Sequence, residues 1–285
     1  MLYLILSILS SVIVGVIFKI SRKYTINTTQ IVAWNYVFAL LLCYFIFSPG
    51  ISTIEATAPW SIYVPLGILL PSVFLFLAAS IQHMGIVKTD AAQRLSLFIP
   101  ILAAWLLFKE EFNTLKVSAF ILALPALLLI LSKKTENKNN NWIYPTIVFV
   151  GFGVIDILFK QIALATSLPF TTSLFIVFGI SLSIMIVVVW YELVVKKTKM
   201  KGINLGLGAL VGIFNFSNIL FYLKAHQAFA KNPSTVFAAM NIGVIIIGSL
   251  VGILIFKEKP NSKNYIGLFL ALIAIVLITI SQMNL

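Results

Sequence analysis

The sequence predicts an all-α integral membrane protein of ten transmembrane helices, built as two inverted five-helix repeats. Three observations lead to this fold class: an apolar composition, ten long apolar runs, and motifs that recur in the same order in both halves. Of the 285 residues, 61% are hydrophobic and 10% are charged. Ordinary soluble domains are roughly half apolar and about a quarter charged, so this composition indicates a membrane protein.

The predicted spans follow one another with short breaks. An apolar run of about 20 residues crosses the hydrocarbon core as a helix, and lipid offers no partner to an unpaired backbone group. The runs are too long and too uniformly apolar to be the strands of a membrane barrel. In chain order they cover residues 2–20, 28–47, 60–82, 91–108, 117–131, 142–165, 171–191, 205–225, 233–256 and 264–281.

Basic residues are divided unevenly between the two sides of the predicted bundle. The net charge is +12, and the loops after spans 1, 3, 5, 7 and 9 hold thirteen Lys and Arg, against Lys109, Lys116 and Lys231 on the opposite face. Cytoplasmic loops carry such an excess, so both termini are expected outside a cell membrane, either inner or plasma. The orientation of the protein in the membrane explains its positive net charge, so no nucleic-acid partner is expected. The expected partners are the lipid bilayer and a small-molecule substrate, with monomer or homodimer left open.

An internal repeat divides the chain into residues 1–132, a polar linker at 133–141, and residues 142–285. GVIFKIS matches DILFKQI, the two histidines match, and LLFKEEFN matches LIFKEKPN. These matches pair Phe18-Lys19 with Phe159-Lys160, His83 with His226, and Lys109-Glu110 with Lys257-Glu258. Because each half has an odd number of spans, the second half enters the membrane from the other side. Inverted repeats with a site at their interface are typical of secondary transporters.

Ten helices in under 300 residues, the five-plus-five repeat, and a glutamate after spans 4 and 9 resemble the drug/metabolite transporter superfamily, in particular its EamA-type ten-helix members. The resemblance covers essentially the whole chain, although Lys109 and Lys257 stand where the motif has a small residue. It implies transport of small metabolites through a cavity formed by helices 1–4 and 6–9, with helices 5 and 10 peripheral. Relatives often keep their termini in the cytoplasm, contrary to the charge pattern here.

Asp156 is the one acidic residue deep within a predicted span. It lies roughly 21 Å from the start of the sixth span, in a hydrocarbon core about 30 Å thick. Lys160 follows one turn later, which leaves two interpretations open: the pair neutralises itself and fixes the rotation of the helix, or it faces the cavity and binds a charged or zwitterionic solute or a proton. The first repeat supplies Lys19 but has Gly15 in place of the acid.

Further polar residues within the spans are candidates for substrate contacts. Arg94 either extends to the headgroups or faces inward, where it attracts a carboxylate. A hydrogen bond between helices would explain the presence of each remaining polar residue taken alone, whereas the set as a whole suggests a polar interior of the bundle. This set comprises Trp34, Asn35, Ser72, Asn215, Ser217, Asn218 and Asn241. The histidines His83 and His226, at helix ends where an imidazole is expected to be wet, are candidate gate residues or interfacial anchors.

These features predict a secondary transporter that moves a small organic metabolite or drug-like solute, such as an amino acid, a nucleobase or an amphipathic cation, by alternating access. Proton coupling is one option. The alternatives are an integral membrane enzyme acting on a lipid or lipid-linked substrate, and a passive channel. The sequence has no Gly-rich phosphate loop, no Cys/His cluster and no catalytic group of residues in its loops. We therefore expect no enzyme activity, no cofactor and no metal.

Overall fold

The computed structural model describes residues 1–21, 23–50, 58–84, 86–130, 142–165, 168–257 and 261–283. Within these ranges the chain forms eleven α-helices and no strand, which confirms the all-α fold class. In chain order they are α1 (Leu2–Ser21), α2 (Thr28–Phe47), α3 (Trp60–Met84), α4 (Ile86–Leu95), α5 (Phe98–Leu106), α6 (Thr114–Ile130), α7 (Ile143–Leu164), α8 (Phe170–Val194), α9 (Gly202–Ala228), α10 (Pro233–Leu254) and α11 (Ser262–Met283).

Seven of the described helices are long and apolar enough to cross a membrane, and three shorter apolar segments accompany them. The count exceeds ten because the predicted fourth span is divided into α4 and α5, with a break at Ser96 and Leu97. Pro100 explains the break, since its missing N–H cannot bond to the carbonyl of Ser96 four residues earlier. The N–H of Ile99 bonds to that carbonyl instead, at 3.0 Å. The protein is therefore a multi-pass membrane protein.

Helix contacts in the first half reappear with exchanged partners in the second half. Helix α1 packs against α9 and α10, while α7 packs against α3, α4 and α5. Likewise, α2 packs against α9, while α8 packs against α3. Such an exchange is expected of two units related by a pseudo-twofold axis. The division into repeats stays a prediction, because the proposed linker at 133–141 lies outside the described residues.

Two lysines with left-handed backbone conformation mark matched positions after α5 and α10. Lys109 has φ of 50° and Lys257 has φ of 53°, a region that side chains with a Cβ rarely adopt. At Lys109 the N–H of Glu110 bonds to the carbonyl of Ala104, which closes the end of α5. A small residue is expected in the motif here because glycine adopts this conformation without strain.

Close approach of α9 to α2 depends on two glycines, one turn apart. A Cβ atom at Gly208 would lie 2.9 Å from the carbonyl oxygen of Ile31, and one at Gly212 would lie 2.8 Å from that of Asn35. Small residues spaced by four let membrane helices pack backbone to backbone. The two helices therefore form a fixed wall beside the interior of the bundle.

Candidate functional site

A cavity of about 830 Å³ lies between the two halves of the chain. Its lining comes from α1, α3, α4, α7, α9 and α10, with Thr28 at the start of α2. Helices α6 and α11 pack against each other, and no residue of either lines the cavity in the described part of the chain. This arrangement agrees with the resemblance to the transporter superfamily, which implies that the fifth and tenth spans are peripheral. The volume is in the range of pockets that hold small organic molecules.

Within the described residues, the lining of the cavity reaches one face of the bundle. Helices α1 and α10 end at one face of the bundle, which we call the basic face. Helices α7 and α9 end at the other face, which we call the opposite face. Lys19 and Phe256, at the basic face, line the cavity. Towards the opposite face the lining on α9 stops at Tyr222, six residues before the helix ends at Ala228, a distance of about 9 Å. The structure is thus open towards the basic face.

Asp156 lies at the inner end of this cavity. Its Oδ1 atom accepts a hydrogen bond from the hydroxyl of Tyr222 at 2.9 Å. Asn215 and Asn218 share the inner surface with Tyr222, because spacings of three and four residues place all three on one face of α9. Asn218 also accepts a hydrogen bond at Oδ1 from Ser7 of α1, at 2.8 Å. We call Asp156, Tyr222, Asn215 and Asn218 the polar floor.

Cationic side chains lie nearer the cavity mouth. Lys19 places its Nζ atom 3.9 Å from the ring centroid of Phe256, and Arg94 lines the cavity on α4 beside Gln93. Both interpretations of Arg94 stay predictions, since the cavity lining near the mouth is compatible with either. Positive side chains therefore line the cavity towards the basic face, and the carboxylate of Asp156 lies at its inner end.

Lys160 does not pair with Asp156, so the interpretation of a self-neutralising pair is wrong. Its side chain is fully buried, and its Nζ atom donates to the carbonyl oxygens of His226 at 3.3 Å and Ala230 at 2.9 Å. These carbonyls lie at the C-terminal end of α9, where helix carbonyls lack N–H partners and carry partial negative charge. Lys160 therefore ties α7 to the end of α9, between the cavity and the opposite face.

A second buried contact lies at the opposite face. Glu110 is 4% exposed, forms a 2.7 Å ion pair with Lys116, and accepts a 2.8 Å hydrogen bond at Oε2 from the backbone N–H of Ser234. A carboxylate at the first turn of α10 satisfies an N–H that has no helical partner. The sequence places Glu110 after the fourth predicted span but gives no sign of these partners. Its repeat counterpart, Glu258, lies outside the described residues.

The two histidines have different surroundings. His226 is fully buried between the rings of Tyr222 and Phe237, at centroid distances of 4.6 and 4.8 Å, and neither ring nitrogen has a hydrogen-bond partner. The expectation of a wet imidazole is wrong for His226, because α7 and α10 cover the end of α9. His83 stacks on Tyr144 at 4.7 Å. Neither histidine lines the cavity.

Three further candidates also lie outside the cavity lining. Trp34 packs on Gly208 of α9, and Asn35 accepts a 3.1 Å hydrogen bond at Oδ1 from Asn215. Asn241 donates to the carbonyl of Phe237 in its own helix, at 3.1 Å. Asn35 thus supports a residue of the polar floor, whereas Trp34 and Asn241 serve helix packing and local backbone bonding.

Tyr222 is the floor residue that sequence analysis missed. The signal was its spacing of four from Asn218 and seven from Asn215, which places it on the same helix face. The described part of the chain contains no group of three His, Cys, Asp or Glu side chains able to hold a metal ion.

Residues 1–132 match the EamA-like transporter family. Along nearly its full length the chain is similar to an uncharacterized protein of Haemophilus influenzae, with 42% identity over 284 residues that cover 95% of each sequence. This chain belongs to the EamA-like transporter family. The family consists of membrane transporters of small solutes rather than enzymes, so the cavity of this EamA-like protein is its candidate solute site.

A solved crystal structure of another protein has the same fold as this EamA-like chain. The two superpose with a TM-score of 0.75 over 98% of this chain and 96% of the other, at 11% sequence identity. At this identity the similarity concerns the fold alone. It indicates that the arrangement of helices around the cavity also occurs in an experimentally determined structure.

Proposed function

We propose that this EamA-like protein is a secondary transporter that carries a small organic solute through its central cavity by alternating access. The observation that carries the proposal is a cavity between the two halves, open to one face and ending at a carboxylate. A passive channel needs a path to both faces, whereas here buried side chains separate the cavity from the opposite face. This arrangement supports one state of a transport cycle.

We assign Asp156 the central role in binding or coupling. A carboxylate within the membrane must be hydrogen-bonded, paired, protonated or in contact with water. Asp156 has the hydroxyl of Tyr222 as a partner and lines the cavity, so a solute cation or a proton can reach its second oxygen. The aromatic side chains of Phe74, Phe152 and Phe159 form an apolar wall around the floor. An organic solute with a cationic or zwitterionic part fits these surroundings better than a bare metal ion.

We further propose that the basic face is cytoplasmic, with both termini outside. The excess of Lys and Arg on the loops of this face supports this orientation. With this orientation the structure is in an inward-open state, and the cationic side chains at the mouth meet cytoplasmic solutes.

The test is uptake by purified protein in liposomes, using a panel of amino acids, nucleobases and cationic drugs, with and without an imposed pH gradient. We expect at least one compound to be transported above protein-free liposomes, and Asp156→Asn to reduce that transport by at least about tenfold, the effect of losing a charge-assisted contact. If a proton is the coupling ion, Asp156→Asn also abolishes the response to the pH gradient.

Asn241→Ala is the matched control, because it too changes one polar residue within a span but lies outside the cavity lining. This variant is expected to transport at the wild-type rate. Wild-type transport by Asp156→Asn, with unchanged dependence on pH, would contradict the assigned role of the carboxylate. Uptake proportional to concentration without saturation would indicate a channel.

A further inference from the structure

The connection between α8 and α9 carries a dense group of positive charges at the basic face. It joins two helices that are each long and apolar enough to cross a membrane, so it lies at the level of the lipid headgroups. We call this connection, residues 195–201, the lysine loop. Four of its seven residues are exposed lysines: Lys196, Lys197, Lys199 and Lys201.

Hydrogen bonds from the interior of the protein fix the shape of the lysine loop. Gln30 of α2 is 1% exposed and donates from Nε2 to the carbonyl of Lys199, at 3.0 Å. Its Oε1 atom accepts a bond of 3.3 Å from the backbone N–H of Lys201. The Nζ atom of Lys201 donates to the carbonyl of Thr25, at 2.8 Å. A loop that is ordered before binding loses less entropy when a partner binds to it.

The positive charges of the lysine loop are poorly neutralised by the protein itself. Glu192, in the last turn of α8, turns its carboxylate towards the start of α2, where two side chains donate to it at 2.9 and 3.0 Å. Lys196 approaches this carboxylate at 3.9 Å, the outer limit of an ion pair. Within the described ranges, Lys197 and Lys199 have no ion-pair partner. These two ammonium groups are therefore available to a negatively charged partner.

Exposed aromatic and apolar side chains adjoin the lysine loop. Trp190 and Tyr191 lie at the end of α8, and Met200 lies within the loop itself. Tryptophan and tyrosine concentrate at membrane interfaces, where their rings lie between the headgroups and the acyl chains. A partner that fits this surface has a negatively charged group beside an apolar one. A phospholipid with a net negative charge has both, whereas a soluble polyanion has the first alone.

We propose that the lysine loop binds the phosphate headgroup of an anionic phospholipid, with Lys197 and Lys199 as the main contacts. The phosphate lies against the two ammonium groups, and the acyl chains extend along α8 beside Trp190. Each lysine near an anionic membrane surface increases the affinity roughly fivefold. Lysines that serve orientation alone need no fixed loop, because the positive-inside preference depends on their number.

The experiment titrates purified protein in detergent micelles with phosphatidylglycerol and counts the bound lipid by native mass spectrometry. The double variant Lys197→Gln with Lys199→Gln removes the two charges without ion-pair partners. Lys109→Gln with Lys231→Gln is the matched control, because it removes the same charge from exposed lysines at the opposite face. Each pair contains one lysine with positive φ, Lys197 at 51° and Lys109 at 50°, so any effect on the backbone is matched as well.

We expect the variant of the lysine loop to bind phosphatidylglycerol at least about tenfold more weakly than the wild type, since two lysines are lost. The control should bind it as the wild type does. Equal losses in both variants would overturn the proposal, because the lipid would then respond to net charge and not to this loop. Unchanged binding by the variant of the lysine loop would overturn it too.

Glycerol phosphate distinguishes a lipid from a free phosphate compound, because it has the charged group without acyl chains. It should bind at least about a hundredfold more weakly than phosphatidylglycerol, since acyl chains supply most of the affinity of a lipid for a membrane surface. Equally tight binding of glycerol phosphate would contradict a lipid site. The measurement needs no transported compound, so its result is independent of the proposed transport function.

Discussion

The hydroxyl of Tyr222 donates a hydrogen bond of 2.9 Å to Asp156, across the boundary between α9 and α7. The ring of Tyr222 is held in place by an edge contact with Phe159, at a centroid distance of 6.1 Å and an interplanar angle of 90°. The carboxylate thus has one fixed partner and one side towards the cavity. This contact joins helices of the same half of the chain and sets the orientation of the polar floor.

Tyr222→Phe removes this hydrogen bond and keeps the ring. Since the hydroxyl orients a carboxylate, we expect the initial transport rate at low solute concentration to fall by about tenfold, the usual effect of losing a hydrogen bond to a charged group. Liposome uptake measures the rate. Tyr63→Phe is the control, because it breaks the buried contact of 2.7 Å with Ser173 outside the cavity. That variant should lose stability but transport normally once folded; equal transport losses in both variants would contradict the role of Tyr222.

Gly248→Leu is expected to block the cavity without disturbing the fold. No atom lies within 4 Å of its Cβ position, so the leucine extends into the cavity. The free energy of unfolding should stay unchanged or rise by up to about 0.8 kcal/mol, because leucine favours a helix more than glycine does. Transport in liposomes should fall to background.

Gly179→Leu on α8 is the matched control for Gly248→Leu. Its Cβ position is equally open, but Gly179 lies outside the cavity lining. Transport should therefore continue at the wild-type rate. Normal transport by Gly248→Leu would show that the solute takes another path.

Glu110→Gln should strongly destabilise the protein. Lys116 is fully buried and would lose its anionic partner, and breaking one side of a buried pair costs about 3–5 kcal/mol. Thermal unfolding in detergent measures the loss. The double variant Glu110→Gln with Lys116→Met should recover part of it, because no unpaired charge remains buried. A double variant as unstable as the sum of the single variants would contradict this account.

Lys109→Gly and Lys257→Gly should each stabilise the protein, by up to about 1 kcal/mol. Both lysines have positive φ, at 50° and 53°, where a Cβ atom is strained and glycine is not. The greater freedom of glycine in the unfolded chain offsets part of this gain. The free energy of unfolding in detergent is the measurement. Lys224→Gly, within helix α9, is the contrast and should destabilise, because glycine is unfavourable in a helix interior.

The orientation of the protein in the membrane is tested separately. In the Cys43→Ser background, Lys199→Cys on the exposed loop of the basic face should react only with a permeant maleimide when intact cells are labelled from outside. The reason is that an excess of Lys and Arg keeps a loop in the cytoplasm. Rapid labelling by an impermeant maleimide would place the termini inside, and the cavity would then open to the exterior.

The sequence anticipated the helices better than the site. Apolar runs predicted the spans because burial in lipid depends on local composition and length. Asp156 was singled out by its depth, and it does line the cavity. In contrast, Lys160 was interpreted through its neighbour four residues away, while its actual acceptors lie 66 and 70 residues further along the chain. No local pattern contains a contact of that separation.

The sequence by itself determined an all-α membrane protein of the EamA-like family, since hydropathy, length and motifs are properties of the chain alone. The tertiary structure decided which polar residues face the cavity, which end is closed, and why His226 is dry. Those outcomes depend on distant pairs, such as Glu110 with Ser234, 124 residues apart. In lipid, a buried polar group must find a partner within the protein, and only the packed bundle decides which partner is within reach.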